Sequence, residues 1–184
     1  MEKILINIDG ACQGNPGDAS IGVVINDNQG NRIEEIARYI GRTTNNVAEY
    51  KGLIAAAEAA LQYMPKRAIF FMDSQLVVNQ INGLYRVRQP HLNALHEQVE
   101  DLLDKLPSWE VKYVERTANW EAHRLAQRAL LERGGSGEPE VKEIGFQRSS
   151  MLEKLTAAAE KLSEYDQRKL LHLAQRLLDD SGAD

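Results

Sequence analysis

The sequence predicts an α/β domain built on a five-stranded mixed sheet flanked by helices, with a C-terminal helical hairpin appended. Three observations carry this expectation. Apolar runs of strand length and helical stretches follow one another in the order βββαβααβα, which calls for an antiparallel meander extended by parallel strands through crossover helices. A Gly/Ser/Pro-rich segment at 134–139 then breaks the pattern as a linker does. Beyond it, leucines recur at helical spacing. With 184 residues, 43% of them hydrophobic, the chain is long enough for one domain of ordinary size plus an appendage.

The first strand is the apolar run over 3–9, ending at Asp9. Gly10 to Gly17 reads as a turn, because its glycines, Asn15 and Pro16 permit tight or left-handed backbone. Ile21–Ile25 is the second strand, the Asp27–Gly30 segment a hairpin turn, and Arg32–Ile40 the third strand. Either Asn45 or Asn46 can cap the alanine-rich helix that runs to about Met64, where Pro65 follows. The short apolar run 67–72 suits a strand covered on both faces. A helix follows from Ser74 to about Asn82, stopped by Gly83, then another over 91–105 with Leu92, Leu95, Val99, Leu102 and Leu103 on one side. Glu110–Glu115 is the fifth strand, and Asn119 caps a helix ending near Arg133. The core domain is thus 1–133, the linker 134–148 and the extension 149–184. In the extension, Leu152, Leu155, Ala159 and Leu162 make one apolar stripe and Leu170, Leu173, Ala174 and Leu177 a second.

Bulk properties exclude some classes of function. The net charge of −5 gives no global attraction for nucleic acid, and neither part is a basic arm: 1–133 carries 15 basic and 17 acidic residues, 134–184 carries 7 and 10. A polyanion must therefore be held by local basic groups or by bridging cations. The single cysteine, Cys12, rules out an internal disulfide and a cysteine-rich zinc site, and fits a reducing cytosol. Met1-Glu2-Lys3 runs straight into a strand, and no signal peptide or membrane span is visible, so a cytoplasmic location is expected.

Three acids stand out. Asp9 and Asp73 close apolar strands, and Glu49 lies at the start of the alanine-rich helix. Carboxylates so placed can converge at one sheet edge, where they repel one another unless cations join them. That points to a Mg²⁺ or Mn²⁺ site for phosphate chemistry. Two such ions about 4 Å apart repel by roughly 16 kcal/mol at an effective dielectric near 20, so bridging anions are required.

Asp9-Gly10-Ala11-Cys12-Gln13-Gly14-Asn15-Pro16-Gly17, then Thr44-Asn45-Asn46-Val47-Ala48-Glu49, then Asp73-Ser74-Gln75, resemble the three successive motifs of type 1 ribonuclease H. The resemblance covers about 1–133 and is specific, since three motifs occur in order on the expected elements. It implies a ribonuclease H-like fold and a metal-dependent endonuclease. Such an enzyme hydrolyses the RNA strand of RNA–DNA hybrids with two divalent ions, leaving 5′-phosphate and 3′-hydroxyl ends. By this resemblance Asp9, Glu49 and Asp73 are catalytic metal ligands. Gly10, Ala11 and Cys12 offer a slim backbone to the RNA strand. Asn15, Asn45, Asn46 and Gln75 contact bases and 2′-hydroxyls, and Thr44 grips a phosphate of the DNA strand. Amide side chains, which both donate and accept, suit 2′-hydroxyl readout in the minor groove. For Asn45 and Asn46, helix capping is the alternative role.

The family pattern carries a fourth acid in the last helix, within N-x-E-A-D-x-L-A. This chain reads Asn119-Trp120-Glu121-Ala122-His123-Arg124-Leu125-Ala126, with His123 in the acid's place. Neutral imidazole can ligate one ion or orient a water, so His123 is taken as the fourth catalytic and metal-binding residue. The expected consequences are a weaker second ion site, preference for Mn²⁺ over Mg²⁺, and activity that rises as His123 loses its proton. Glu121 should point elsewhere on the helix. The basic helical protrusion found in some members is also missing: only 84–90 joins the two middle helices, with Arg86 and Arg88 as either phosphate contacts or solvated loop charges. Roles open for the C-terminal hairpin are hybrid binding, self-association, recruitment of a protein partner, or a plain helical cap. His91, His96 and His172 need only surface or packing roles; Trp109 should pack at a strand start and Trp120 flank the site. The alternatives to hybrid cleavage are a hybrid-binding module whose catalysis is weakened or lost with the fourth acid, and a DNA nuclease on the same fold, against which the amide set argues.

Overall fold

In the computed structural model, which describes residues 1–132, a five-stranded sheet has the order β3-β2-β1-β4-β5. β1 (Lys3–Gly14), β2 (Gly17–Asp27) and β3 (Arg32–Thr43) form the antiparallel meander; β4 (Arg67–Met72) and β5 (Trp109–Tyr113) join it in parallel. α1 (Asn45–Tyr63), α2 (Gln75–Ile81) and α3 (Pro90–Leu103) fill the crossovers, and a short 3₁₀ turn (Arg116–Asn119) leads into α4 (Trp120–Leu131). The linker expected over 134–148, the hairpin over 149–184 and the association expected of it lie outside the described residues. No helix among the described residues is long and apolar enough to cross a membrane.

The main core lies between the sheet and the α1/α3 side. Ile4, Ile6 and Ile8 of β1, Phe70 of β4 and Tyr50 and Leu53 of α1 are all fully buried there. α4 covers the other face. A Cβ on Gly22 would lie 2.1 Å from the Ala122 carbonyl oxygen and 2.5 Å from the Ala126 nitrogen, so only glycine lets α4 rest on β2. Buried Ser20 fastens the contact by donating to the Ala126 carbonyl. Two small clusters, Ala11/Ala126/Leu130 and Val24/Ala122/Leu125, complete this second layer.

The structure corrects three local expectations. The segment over 10–17 is mostly strand: β1 and β2 stay paired from Gly10↔Ile21 to Gly14↔Gly17, leaving Asn15 and Pro16 at the tip. The ladder satisfies the backbone groups that a loop would expose, and the glycines serve close packing. A Cβ on Gly10 would sit 2.5 Å from the Glu49 nitrogen. The α1 cap is Thr44, whose hydroxyl accepts from the Val47 amide, rather than Asn45 or Asn46. Asn119 precedes α4 but makes no capping bond, because its side chain is engaged inward.

Among the other residues singled out, Trp109 packs against the main core as expected. His91 is exposed, while His96 is held between α1 and α2: its ring meets Tyr50 edge-on, centroids 6.4 Å apart, and its Nε2 lies 3.2 Å from the Gln80 carbonyl.

Candidate active site

The sheet register brings the acids together. Ile8 pairs with Met72, so Asp9 and Asp73 follow side by side on the central strands. α1 delivers Glu49 from above, its N-terminus brought against β1 by the missing Cβ of Gly10. One oxygen from each of Asp9, Glu49 and Asp73 can be chosen so that all three lie within 4.8 Å of one another. Asp9 is fully buried and Glu49 nearly so.

Each acid is held differently. Asp73 accepts from Arg116 Nε at 2.9 Å and from Asn119 Nδ2 at 3.1 Å. Burial pushes its carboxyl up, but these hydrogen bonds and the guanidinium charge outweigh that and hold it below the usual carboxylate range. Asp9 is raised to about 6, by burial first and by the Asp73 charge second, with the His123 hydrogen bond opposing. Glu49 is pushed well above the ordinary range by burial, then by the charges of Asp9 and Asp73. Asp9 Oδ1 and Glu49 Oε2 are buried with no hydrogen-bond partner. Buried oxygens are rarely left so. Two such oxygens in a cluster of three carboxylates match the hard, oxygen-rich donor set that Mg²⁺ or Mn²⁺ takes.

His123 stands beside this group, its Nδ1 2.8 Å from Asp9 Oδ2. It occupies one oxygen of Asp9 and leaves the other to the cluster. Glu121 does point away, into an ion pair with Arg32 at 2.7 Å.

The expected substrate-facing residues divide by environment. Gly10 and Ala11 are buried, Ala11 beneath α4. Cys12 is half-buried, its thiol 3.2 Å from the Thr43 carbonyl. Exposed Asn15 accepts from the Asn45 amide at 3.2 Å, tying the β1–β2 tip to the start of α1. Asn45 and Gln75 are exposed, and Thr44 and Asn46 half-buried.

Sequence reasoning missed Arg116, Asn7 and the inward role of Asn119. Buried Asn119 donates to the Ile8 carbonyl at 2.8 Å as well as to Asp73, and accepts from Asn7 at 3.1 Å. The available signal was Asn7, an amide amid the isoleucines of β1.

Comparison with known proteins agrees with this geometry. A family model described as reverse transcriptase-like matches residues 7–129. The bifunctional protein Rv2228c of Mycobacterium tuberculosis is 39% identical over 129 residues, 70% of this chain and 35% of that protein. The solved structure of its N-terminal RNase H domain superposes with a TM-score of 0.68, over 70% of this chain and 98% of that one. Ribonuclease HI of Halobacterium salinarum is 39% identical over 122 residues, 66% of this chain and 61% of the relative. LC11-RNase H1, solved in complex with an RNA/DNA hybrid, is 38% identical with a TM-score of 0.66, over 69% of this chain and 96% of that one. The chain thus matches only part of the length of the mycobacterial and halobacterial relatives. The matched segment, the shared fold and the three motifs agree that this chain belongs to the type 1 ribonuclease H family.

Proposed function

We propose that the chain is a metal-dependent endonuclease that hydrolyses the RNA strand of RNA–DNA hybrids, leaving 5′-phosphate and 3′-hydroxyl ends, with 1–133 as its ribonuclease H domain, 134–148 as linker and 149–184 as a helical extension that binds a protein partner or self-associates. The observation that carries the nuclease reading is the convergence of Asp9, Glu49 and Asp73 with two buried carboxylate oxygens left unpartnered. The hybrid as substrate is supported by the relative solved with one bound.

Asp9, Glu49 and Asp73 would hold the Mg²⁺ or Mn²⁺, two ions in the full reading, with His123 Nε2 as a nitrogen donor at the second. A divalent cation here supplies the positive charge that lowers the pKa of an attacking water and stabilises the departing 3′ oxygen. The chain's own residues prepare for it. Arg116 and Asn119 keep Asp73 ionised. Asp9 and Glu49 hold protons more readily than ordinary carboxylates and would give them up to ligate a cation. Asn15, Asn45, Asn46 and Gln75 read 2′-hydroxyls from the rim, beside the Gly10–Cys12 strand and Thr44.

A second reading, a hybrid-binding module with weakened or lost catalysis, is favoured by one observation: His123 occupies Asp9 Oδ2 where the family pattern has an acid. The test is cleavage of a labelled hybrid with Mg²⁺ or Mn²⁺ by the wild-type chain, Asp9→Asn and His123→Asp. Cleavage abolished in Asp9→Asn supports the nuclease. No wild-type cleavage, with activity appearing in His123→Asp, supports the binding module. No cleavage by the wild type or His123→Asp defeats the nuclease reading.

A further inference from the structure

Trp120 and Arg124 form a patch that the hydrolytic centre does not use. Trp120 stands at the start of α4 with 56% of its surface exposed, whereas the other indole, Trp109, packs against the main core. Trp120 belongs to none of the apolar clusters formed by the described residues. An indole left in water forgoes the free energy that burial of its large apolar surface would supply. The Arg124 guanidinium lies 5.7 Å from the Trp120 ring centroid, within cation–π range, and makes no ion pair among the described residues. The nearest acid in sequence, Glu121, is engaged by Arg32.

The location gives the patch its meaning. Trp120, His123 and Arg124 are spaced i, i+3 and i+4 on α4, so they share one helix face. His123 on that face touches Asp9. The Trp120–Arg124 pair therefore extends the face of α4 that meets the carboxylates. Trp120 lies about 5 Å along the helix axis from His123, close enough for one strand to reach both.

The geometry points to a subsite for an unpaired nucleotide of the RNA strand beyond the scissile phosphate, its base stacked on Trp120 and its phosphate held by Arg124. This rests on the hybrid-cleavage reading, because the strand that crosses the carboxylates is the one that reaches the patch. Inside a duplex the base faces are covered by their neighbours, so an indole finds a free face only where the strand leaves the duplex. The preferred substrate is then a hybrid whose RNA strand continues as a single-stranded extension.

The chain holds 2 tryptophans, so Trp109→Phe leaves Trp120 as the sole reporter. Full-length protein with this change is titrated, without divalent cation so that no cleavage occurs, with a blunt hybrid and with the same hybrid bearing a single-stranded RNA extension. The expected result is a change in Trp120 emission with the extended hybrid and binding about 5- to 150-fold tighter than to the blunt one, the range that one stacked base contributes. In cleavage assays the wild type should favour the extended hybrid through KM. Trp120→Ala and Arg124→Gln should bring that preference toward one, with Trp120→Phe retaining part of it. Should Trp109→Phe not fold, the emission difference between wild type and Trp120→Phe supplies the same readout. Unaltered Trp120 emission, or a preference unchanged in Trp120→Ala, overturns the subsite. Failure of the wild type to cleave either hybrid overturns the nuclease reading instead, and the emission titration still decides the subsite.

Discussion

Replacing Asp9 by asparagine should abolish cleavage and yet make the metal-free protein more stable at neutral pH. Asp9 is fully buried, and its carboxyl is raised from 3.8 to about 6, chiefly by burial and then by the charge of Asp73, with the His123 hydrogen bond already opposing the rise. The folded chain therefore binds the Asp9 proton more tightly than the unfolded chain does. Its contribution to stability is complete below about pH 4 and is lost as pH rises through about 6. Two pKa units at 1.36 kcal/mol each make the cost of ionised Asp9 about 3 kcal/mol at pH 7. Asparagine is nearly isosteric and carries no charge, so it avoids that cost. For a chain of this size about 3 kcal/mol corresponds to a melting temperature higher by about 6–12 °C. Thermal melts of wild type and Asp9→Asn in chelator, from pH 4 to pH 8, measure the gap. It should be near zero at pH 4 and open progressively toward pH 7. Adding Mg²⁺ at about 100 times its dissociation constant should return about 2.7 kcal/mol to the wild type and less to the variant. A variant no more stable than wild type at pH 7, or a gap that does not change with pH, would refute the reasoning.

Other substitutions probe the scaffold around the acids. Gly22→Ala places a methyl against the backbone of Ala122 and Ala126, neither of which can yield, so it should cost about 1–3 kcal/mol or more in urea unfolding and shift the His123 ring resonances as α4 lifts. Asn119→Ala strips a hydrogen bond from both the Ile8 carbonyl and Asp73; a loss of about 1–3 kcal/mol is expected, together with an upward move of the Asp73 carboxyl in a ¹³C-detected titration. Arg116→Gln should move the same carboxyl upward and, by the same linkage, lower stability at neutral pH but not in acid, because the Asp73 side chain it pairs with is only 4% exposed although Arg116 itself faces water. His123→Asp exchanges a hydrogen bond to Asp9 for a like charge; calorimetry should show tighter Mg²⁺ binding and melts a less stable metal-free protein, and weaker binding would contradict that account.

The chain alone determined the element order, the identities of the three acids and the family, because these follow from local rules. Apolar runs such as Ile4–Ile8 and Ala68–Met72 mark strands, and the motifs around Asp9, Glu49 and Asp73 are contiguous in sequence. It misread 10–17 as a turn throughout, because glycine signals freedom and close packing with the same letter. Only the fold shows that Gly10 makes room for the start of α1 and Gly22 for α4. The capping asparagines failed for a related reason. Thr44, Asn45, Asn46 and Asn119 all have side chains suited to a helix start, and what decides among them is which distant partners compete. Asn119 is claimed by Asp73 and Ile8, 46 and 111 residues away. Arg116 carries no local signature, since its partner Asp73 is 43 residues earlier. The protonation behaviour of the acids was likewise decided by tertiary structure: the same carboxyl group is lowered at Asp73 and raised at Asp9 and Glu49 according to burial and neighbours that only the folded chain brings together.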